Sequence, residues 1–441
     1  MSATHVRPGE RLLTVEEAAE RILAGVMALP AEAVPLDEAA GRVLAEPVHA
    51  SVTLPPWDNT AMDGFAVRAA DTAGASAESP VTLPVEGEVS AGHAPSSALA
   101  PGTAVRITTG AMIPPGADAV VPVEDTDARP GADALPARVA IRRAATLGDN
   151  IRRTGSDVAA GARLLEPGAV VGPAALALLA AAGVATVRVH RRPRVAAIAT
   201  GDELVAIGEP LGPAQIYDSN SLALVAQARA AGAEARRIGI ARDRLESVVG
   251  LLDEARAWAD VVVLSGGVSV GAHDVVKDAV ASLGSIGFWR VAIQPGKPLA
   301  FGRMARTEVP HAGASSTDEP PIAVLGLPGN PVSAFVTFEL FVRPLLRRLE
   351  GRGDGSGRRV VRATLAERVR KAVDRRGFLR VGLSPDPARP GGLVARLAGS
   401  QGSHVLSALA SADGLAVIPE GVPGLEAGAE VDVLELDDEG A

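Results

Sequence analysis

Hydrophobic residues recur along this chain in three rhythms, and each predicts a different kind of element. From Thr14 to Leu29 they return every three or four positions, with Ala18, Ile22 and Val26 on one face, Thr14 as N-cap and Glu17 at the capping-box position. A second short helix, LDEAAGRVLA, is expected after Pro35, and the two together read as a packing or dimerisation module. Between Val67 and Arg143 the apolar runs are short and cut by Gly and Pro, as in VTLPVEGEV, TAVRITTGAMIP, ADAVVPVEDT and ARVAIRRA, which predicts a small β-rich domain. From Arg194 strand-like and helix-like stretches alternate: RVAAIAT, SLALVAQARAAG with Ser219 or Asn220 as cap, ARRIGIA, RLESVVGLLDEARAWA, DVVVL, DVVKDAVASLG, GFWRVAI, LAFGRM and PIAVLGLP. That order predicts a doubly wound α/β sheet. Val261, Val262, Val263 and Leu264 do not alternate with polar residues, which suits a strand buried on both faces of a parallel sheet. Beyond the flexible GRGDGSGR stretch, VVRATLAERV, GFLRVGLS, GGLVARLA, DGLAVIPEG and EVDVLELD predict a second β-rich domain.

Composition narrows the function classes. A length of 441 residues predicts two to four domains, and 47% hydrophobic with 22% charged residues is ordinary for a globular chain. A net charge of −9 disfavours nonspecific binding to nucleic acid or an anionic membrane. The absence of cysteine excludes disulfides, thiolate metal sites and cysteine nucleophiles. No apolar signal core stands in MSATHVRPGERLLTVEEA, so the expected compartment is the cytoplasm. The uncharged stretch from Pro167 to Val187 has the length of a membrane span, but its Gly and Pro residues divide it into a helix, PAALALLAAAG, and a strand, VATVRVH.

Chemistry-bearing residues concentrate in a few loops. In DVVVLSGGVSVGAHD the strand breaks into Gly266, Gly267 and Gly271, so backbone N–H groups can approach an anion, and Asp274 opens the following helix. The loop lacks the Lys and Ser/Thr of a P-loop, so a packing turn is the competing reading. PPWDNTAMDGFAV crowds Asp58 and Asp63 with Asn59 and Thr60, a set that also serves ordinary turn chemistry. Thr108, Thr109 and Gly110 follow a strand, and GDNIRRTGSDVAAG puts Arg152, Arg153 and Asp157 between glycines, where a salt-bridged surface turn is the plainer alternative. Glu203, Asp243, Asp274, Lys297 and Asn330 all fall just beyond strand ends, and the carboxyl ends of parallel strands share one sheet edge. Ser403 and His404 are adjacent, so they point apart, and nothing indicates a third member of a hydrolase triad.

Taken together, PPWDNTAMDGFAV, RITTGAMIPPGADAVV, GDNIRRTGSDVAAG, ATGDEL, QIYDSN, LSGGVSVGAHD, QPGKP, GLPGNPVSA and GSQGSH resemble, in order, the molybdopterin molybdenumtransferase family and the C-terminal domain of gephyrin. The resemblance implies a multidomain α/β protein: residues 1–50 with 148–190 as a helical and extended part, 51–147 as an inserted β-rich domain, 191–350 as the central domain with a mostly parallel sheet, and 351–441 as the C-terminal β-rich domain. It implies molybdopterin-AMP and molybdate as substrates, Mg²⁺ as cofactor, AMP as a product, and a homodimer whose cleft is shared between protomers. Asp63, Thr109, Arg152 and Asp157 would then face the other protomer's glycine loop. Gly266, Gly267, Ser269 and Gly271 would cradle the phosphate-bearing ligand, with Lys297, Pro298, Asn330 and Ser403 also binding substrate. Glu203, Asp243 and Asp274 would supply hard oxygen ligands to Mg²⁺, and Asp63 would position the reacting group or a divalent ion. Contact with molybdopterin adenylyltransferase is a further expected partnership. Three positions depart from the family pattern: Ser156 where Glu often stands, Arg290 where Lys is common, and Gln294 where a second Lys often precedes Pro-Gly-Lys-Pro. Molybdopterin adenylyltransferase activity, which needs only the central domain, and a non-catalytic dimeric scaffold are the competing functions.

Overall fold

The computed structural model describes residues 11–129, 134–267, 275–306, 320–353 and 357–436. The central element is a six-stranded sheet in the order Glu234–Ala241, Arg194–Thr200, Val261–Ser265, Ile322–Leu327, Pro298–Met304, Gly284–Arg290. The first three pairings in that order are parallel and the last two antiparallel. The apolar block of the third strand is explained by its surroundings. Val261 and Val263 belong to a core formed with the Asn220–Ala230 helix and the Pro331–Leu349 helical segment, whereas Val262 and Leu264 belong to a second core formed with the Leu245–Arg256 and Val275–Leu283 helices. All four side chains are fully buried, so alternation along this strand distinguishes two cores rather than core from water.

The N-terminal helix spans Val15–Leu23, with Thr14 Oγ1 accepting from the Glu17 N–H at 3.1 Å and the Glu17 carboxylate accepting from the Thr14 N–H at 2.9 Å. It stops six residues short of the expected Leu29. Gly25 takes a positive φ of 69°, and Leu29 leaves the helical path to donate its N–H to the Leu349 carbonyl. Ala18 and Ile22 pack into the central core. The expected helix after Pro35 is reduced to a single 3₁₀ turn, Leu36–Glu38. Gly41 and Leu44 donate their N–H groups to Val171 and Ala169, so the backbone of this segment is used for lateral pairing. Ala31–Pro35 pairs antiparallel with Thr186–His190, and between them lies the Pro173–Ala181 helix. Among the described residues no helix is long and apolar enough to cross a membrane.

The β-rich insertion is a five-stranded sheet built from Gly64–Val67, Val81–Val89, Ala104–Ile107, Ala119–Pro122 and Arg138–Ile141. The C-terminal sheet contains Val360–Leu365, Arg376–Pro385, Leu393–Leu397, Gly414–Ile418 and Glu430–Glu435, and it is extended by Ile293–Gln294 from the central domain, paired in parallel with Arg376–Gly377. One short segment therefore joins the two domains through backbone hydrogen bonds.

Candidate active site

The carboxyl ends of the parallel strands open into a cavity of about 1720 Å³, closed on its far side by the C-terminal domain. That is larger than the roughly 300–1,000 Å³ of an ordinary small-molecule pocket, and it has room for a ligand with several phosphate-sized groups. Leu327 and Ser265 end adjacent strands here, and the antiparallel Pro298–Met304 strand starts at the same edge.

Gly266 and Gly267 adopt φ of +93° and +63°. A Cβ on Gly266 would stand 2.6 Å from the Thr200 carbonyl oxygen, and one on Gly267 would stand 2.4 Å from Val276 Cγ2. Only glycine fits this turn, which brings bare backbone to the cavity wall. Asn220 fixes it from the side: its Nδ2 donates to Ser265 Oγ and to the Gly329 carbonyl, both at 2.7 Å. Asn220 therefore links two loops, and the cap of its helix comes from Asp218, whose Oδ1 accepts from the Ser221 N–H at 3.0 Å. Ser219, one of the two expected caps, occupies the N-cap position but makes no side-chain cap bond, and Asn220 is the first helical residue. Asn330 occupies the N-cap position before Pro331 but makes no side-chain cap bond, and it lines the cavity.

Glu203 and Asp243 supply carboxylates to the same wall. The Glu203 carboxylate folds over Gly201, where a Cβ would meet it at 2.4 Å, and the Asp243 N–H donates to Asp202 Oδ1 at 3.2 Å. Lys297 and Pro298 project from the loop whose Gly296, at φ +110°, packs against Thr337. Ser403 arrives from the C-terminal domain, its carbonyl accepting from the Val332 N–H at 3.1 Å. Ser269, Gly271 and Asp274 lie outside the described residues. Among those described, no group of three or more His, Asp or Glu is arranged to hold a metal ion.

Arg370, Lys371 and Arg375 also line the cavity, and no motif in the sequence marks them. Arg370 ends the short Val369–Arg370 strand, and Lys371 and Arg375 follow in the turn after it. Burial pulls the Lys371 ammonium below the ordinary lysine range, partly countered by Glu420 and Asp374.

Asp63, Thr109, Arg152 and Asp157 do not line this cavity within the protomer. The N–H and Oγ1 of Thr109 both donate to Asp63 Oδ1, at 2.6 and 2.8 Å, and these bonds hold the carboxyl below its usual range. Asp58 is likewise held ionised, by the Thr154 N–H and by Arg153. Arg152 stands opposite Asn59 in a short antiparallel pairing. Asp63, Thr109, Arg152 and Asp157 are all exposed.

Comparison with known proteins identifies this architecture. Residues 13–183 match the MoeA N-terminal region (domain I and II), residues 196–348 a probable molybdopterin binding domain, and residues 362–436 the MoeA C-terminal region (domain IV). The chain is 44% identical to molybdopterin molybdenumtransferase 2 of Mycobacterium tuberculosis, over 91% of this chain and 94% of that one. It is 39% identical to molybdopterin molybdenumtransferase of a Nostoc species, over 92% of this chain and 88% of the relative. This chain belongs to the molybdopterin molybdenumtransferase family. The crystal structure of a molybdopterin biosynthesis MoeA protein from Pyrococcus horikoshii superposes with a TM-score of 0.77 at 36% identity, covering 97% of this chain and all of that one. Gln294 lines the cavity, and Arg290 pairs in register with Pro298, which lines it too.

Proposed function

We propose that this transferase of molybdenum cofactor biosynthesis inserts molybdate into adenylyl-molybdopterin, with AMP leaving. The observation that carries this reading is the cavity in which a side-chain-free glycine turn, the carboxylates Glu203 and Asp243 and a basic loop from another domain converge. The Gly266–Gly267 backbone and Asn330 hold the phosphate-bearing ligand, while Lys297 and the basic loop offset the charge of phosphate and molybdate. Glu203 and Asp243 are hard oxygen donors suited to Mg²⁺, with Asp274 as the expected third. Bound there, Mg²⁺ would supply charge neutralisation to the phosphoanhydride. The carboxylates then orient this end of the substrate against the glycine turn.

The active unit is a homodimer in which Asp63, Thr109, Arg152 and Asp157 of one protomer complete the cavity of the other. Their exposure and their distance from the cavity of their own chain support this arrangement. Asp63 uses one oxygen for the Thr109 bonds, and its Oδ2 remains for the reacting group or a divalent ion. The cytoplasm is the proposed compartment, and molybdopterin adenylyltransferase the proposed protein partner.

AMP release from molybdopterin-AMP, Mg²⁺ and molybdate tests this function. Asp63→Asn and Asp274→Asn should each slow release by about tenfold or more, as expected for loss of a charged group acting in the transition state. Unchanged release in both variants overturns the site assignment. Formation of adenylyl-molybdopterin from ATP, without molybdate-dependent AMP release, overturns the function itself.

A further inference from the structure

Gln294, which immediately precedes the Pro-Gly-Lys-Pro loop, engages the neighbouring domain as a hydrogen-bond acceptor. Its Oε1 accepts the Ala372 N–H at 3.0 Å. Ala372 lies in the turn that carries Arg370, Lys371 and Arg375 to the cavity. At one end that turn is anchored by the pairing of Val369–Arg370 with Gly424–Leu425, and at the other by Arg376, whose N–H donates to the Ala292 carbonyl at 2.7 Å. Within the turn, Lys371 Nζ donates to the carbonyls of Ala372 and Val422 at 3.0 and 2.8 Å. Gln294 thus grips the N–H of the same residue whose carbonyl accepts from the Lys371 ammonium.

We propose that Gln294 is a positioning residue: it fixes the Arg370–Arg375 turn against the Pro-Gly-Lys-Pro loop and thereby sets how tightly the oxyanion is held. A lysine here could not do this. An ammonium only donates, so it would leave the Ala372 N–H facing another donor and would add a positive charge beside Lys297 and Lys371. The proposal rests on the reading of the cavity as an oxyanion site.

The test uses the intact protein with Gln294→Met, which keeps side-chain length but removes the acceptor, and Gln294→Lys. Sodium molybdate is titrated by calorimetry, KM and kcat for molybdate are measured, and exchange of the Ala372 amide is followed by NMR. Gln294→Met should weaken molybdate binding and raise KM about three- to tenfold, the scale of one hydrogen bond, with kcat within about twofold. It should also speed Ala372 exchange at an unchanged thermal midpoint. Gln294→Lys should bind no more tightly than Gln294→Met. Tighter binding by Gln294→Lys than by wild type, or unchanged affinity in Gln294→Met despite faster exchange, overturns the proposal. Failure of the wild type to bind molybdate overturns the oxyanion reading beneath it, an outcome distinct from both.

Discussion

Gly266 and Gly267 show how one missing methyl group shapes a site. Both have positive φ, and the Cβ of alanine at Gly267 would collide with Val276 Cγ2 at 2.4 Å. Left-handed backbone alone costs a non-glycine residue about 1–3 kcal/mol. Gly267→Ala should therefore lower the thermal midpoint and reduce AMP release at least about tenfold, because relief of the collision moves the turn that faces the ligand. Asn220→Asp makes the complementary change, replacing a donor by an acceptor opposite Ser265 Oγ and the Gly329 carbonyl. It should cost about 1 kcal/mol in denaturant unfolding, the scale of one lost hydrogen bond, since the Gly329 carbonyl loses its donor whereas the Ser265 hydroxyl can turn to donate. The glycine turn was legible in the sequence because its backbone geometry is local: a strand that ends in consecutive glycines turns sharply there. Asn220 was legible only as a cap. Its partners lie 45 and 109 residues away, and nothing near it in sequence marks them. The basic turn at Arg370–Arg375 was hidden for the same reason, because its cavity exists only once two domains meet.

At the scale of elements, local pattern succeeded where burial and period agree and failed where the backbone found better partners elsewhere. The Val261–Ser265 strand was readable because both its faces are dry. The segment after Pro35 has helical composition, yet its N–H groups pair with the Ala169–Val171 segment, so tertiary hydrogen bonds override a weak propensity. Asp260, one residue before that central strand, shows how strand ends are secured. It is buried and accepts a two-pronged contact from Arg191 at 2.8 and 2.9 Å, the Arg194 N–H at 2.9 Å, and a further bond from Arg306. Burial pushes its carboxyl up, but the Arg191 and Arg194 bonds and the charge of Arg306 outweigh that and leave it below its usual range. A carboxyl depressed in the folded state stabilises fully above its unfolded pKa of about 3.9, and that contribution is lost as pH falls through the lower folded value. Asp260→Asn should consequently cost about 3 kcal/mol at pH 7, the scale for breaking a buried charge pair. In urea titrations the difference from wild type should shrink below about pH 4; a difference independent of pH would show that the carboxylate charge is not the source.

At the scale of the whole molecule, the chain places its reactive-looking groups in two sets that do not meet. Glu203, Asp243, Lys297 and Ser403 line the cavity, whereas Asp63, Thr109 and Arg152 lie on the exposed surface of other domains. Within one protomer Asp63 is ordered by both donors of Thr109 while facing solvent, where such a bonded carboxylate stabilises little. The proposed symmetric dimer would supply a reason for this ordering, since its two-fold axis would bring the first set of each chain to the second set of the other. This arrangement makes a quantitative demand that no arrangement within one chain can meet. Glu203→Gln and Asp63→Asn, each slowed about tenfold or more alone, would place both lesions in one site of a mixed dimer and leave the other site intact. If the variants are unfolded and refolded together in equal amounts, random pairing gives half mixed dimers with one working site in two, so activity should return to about a quarter of wild type. The measurement is AMP release from the mixture against each variant refolded alone. Sites contained within single chains would give no recovery at any mixing ratio, and the recovered activity should fall on dilution as mixed dimers dissociate.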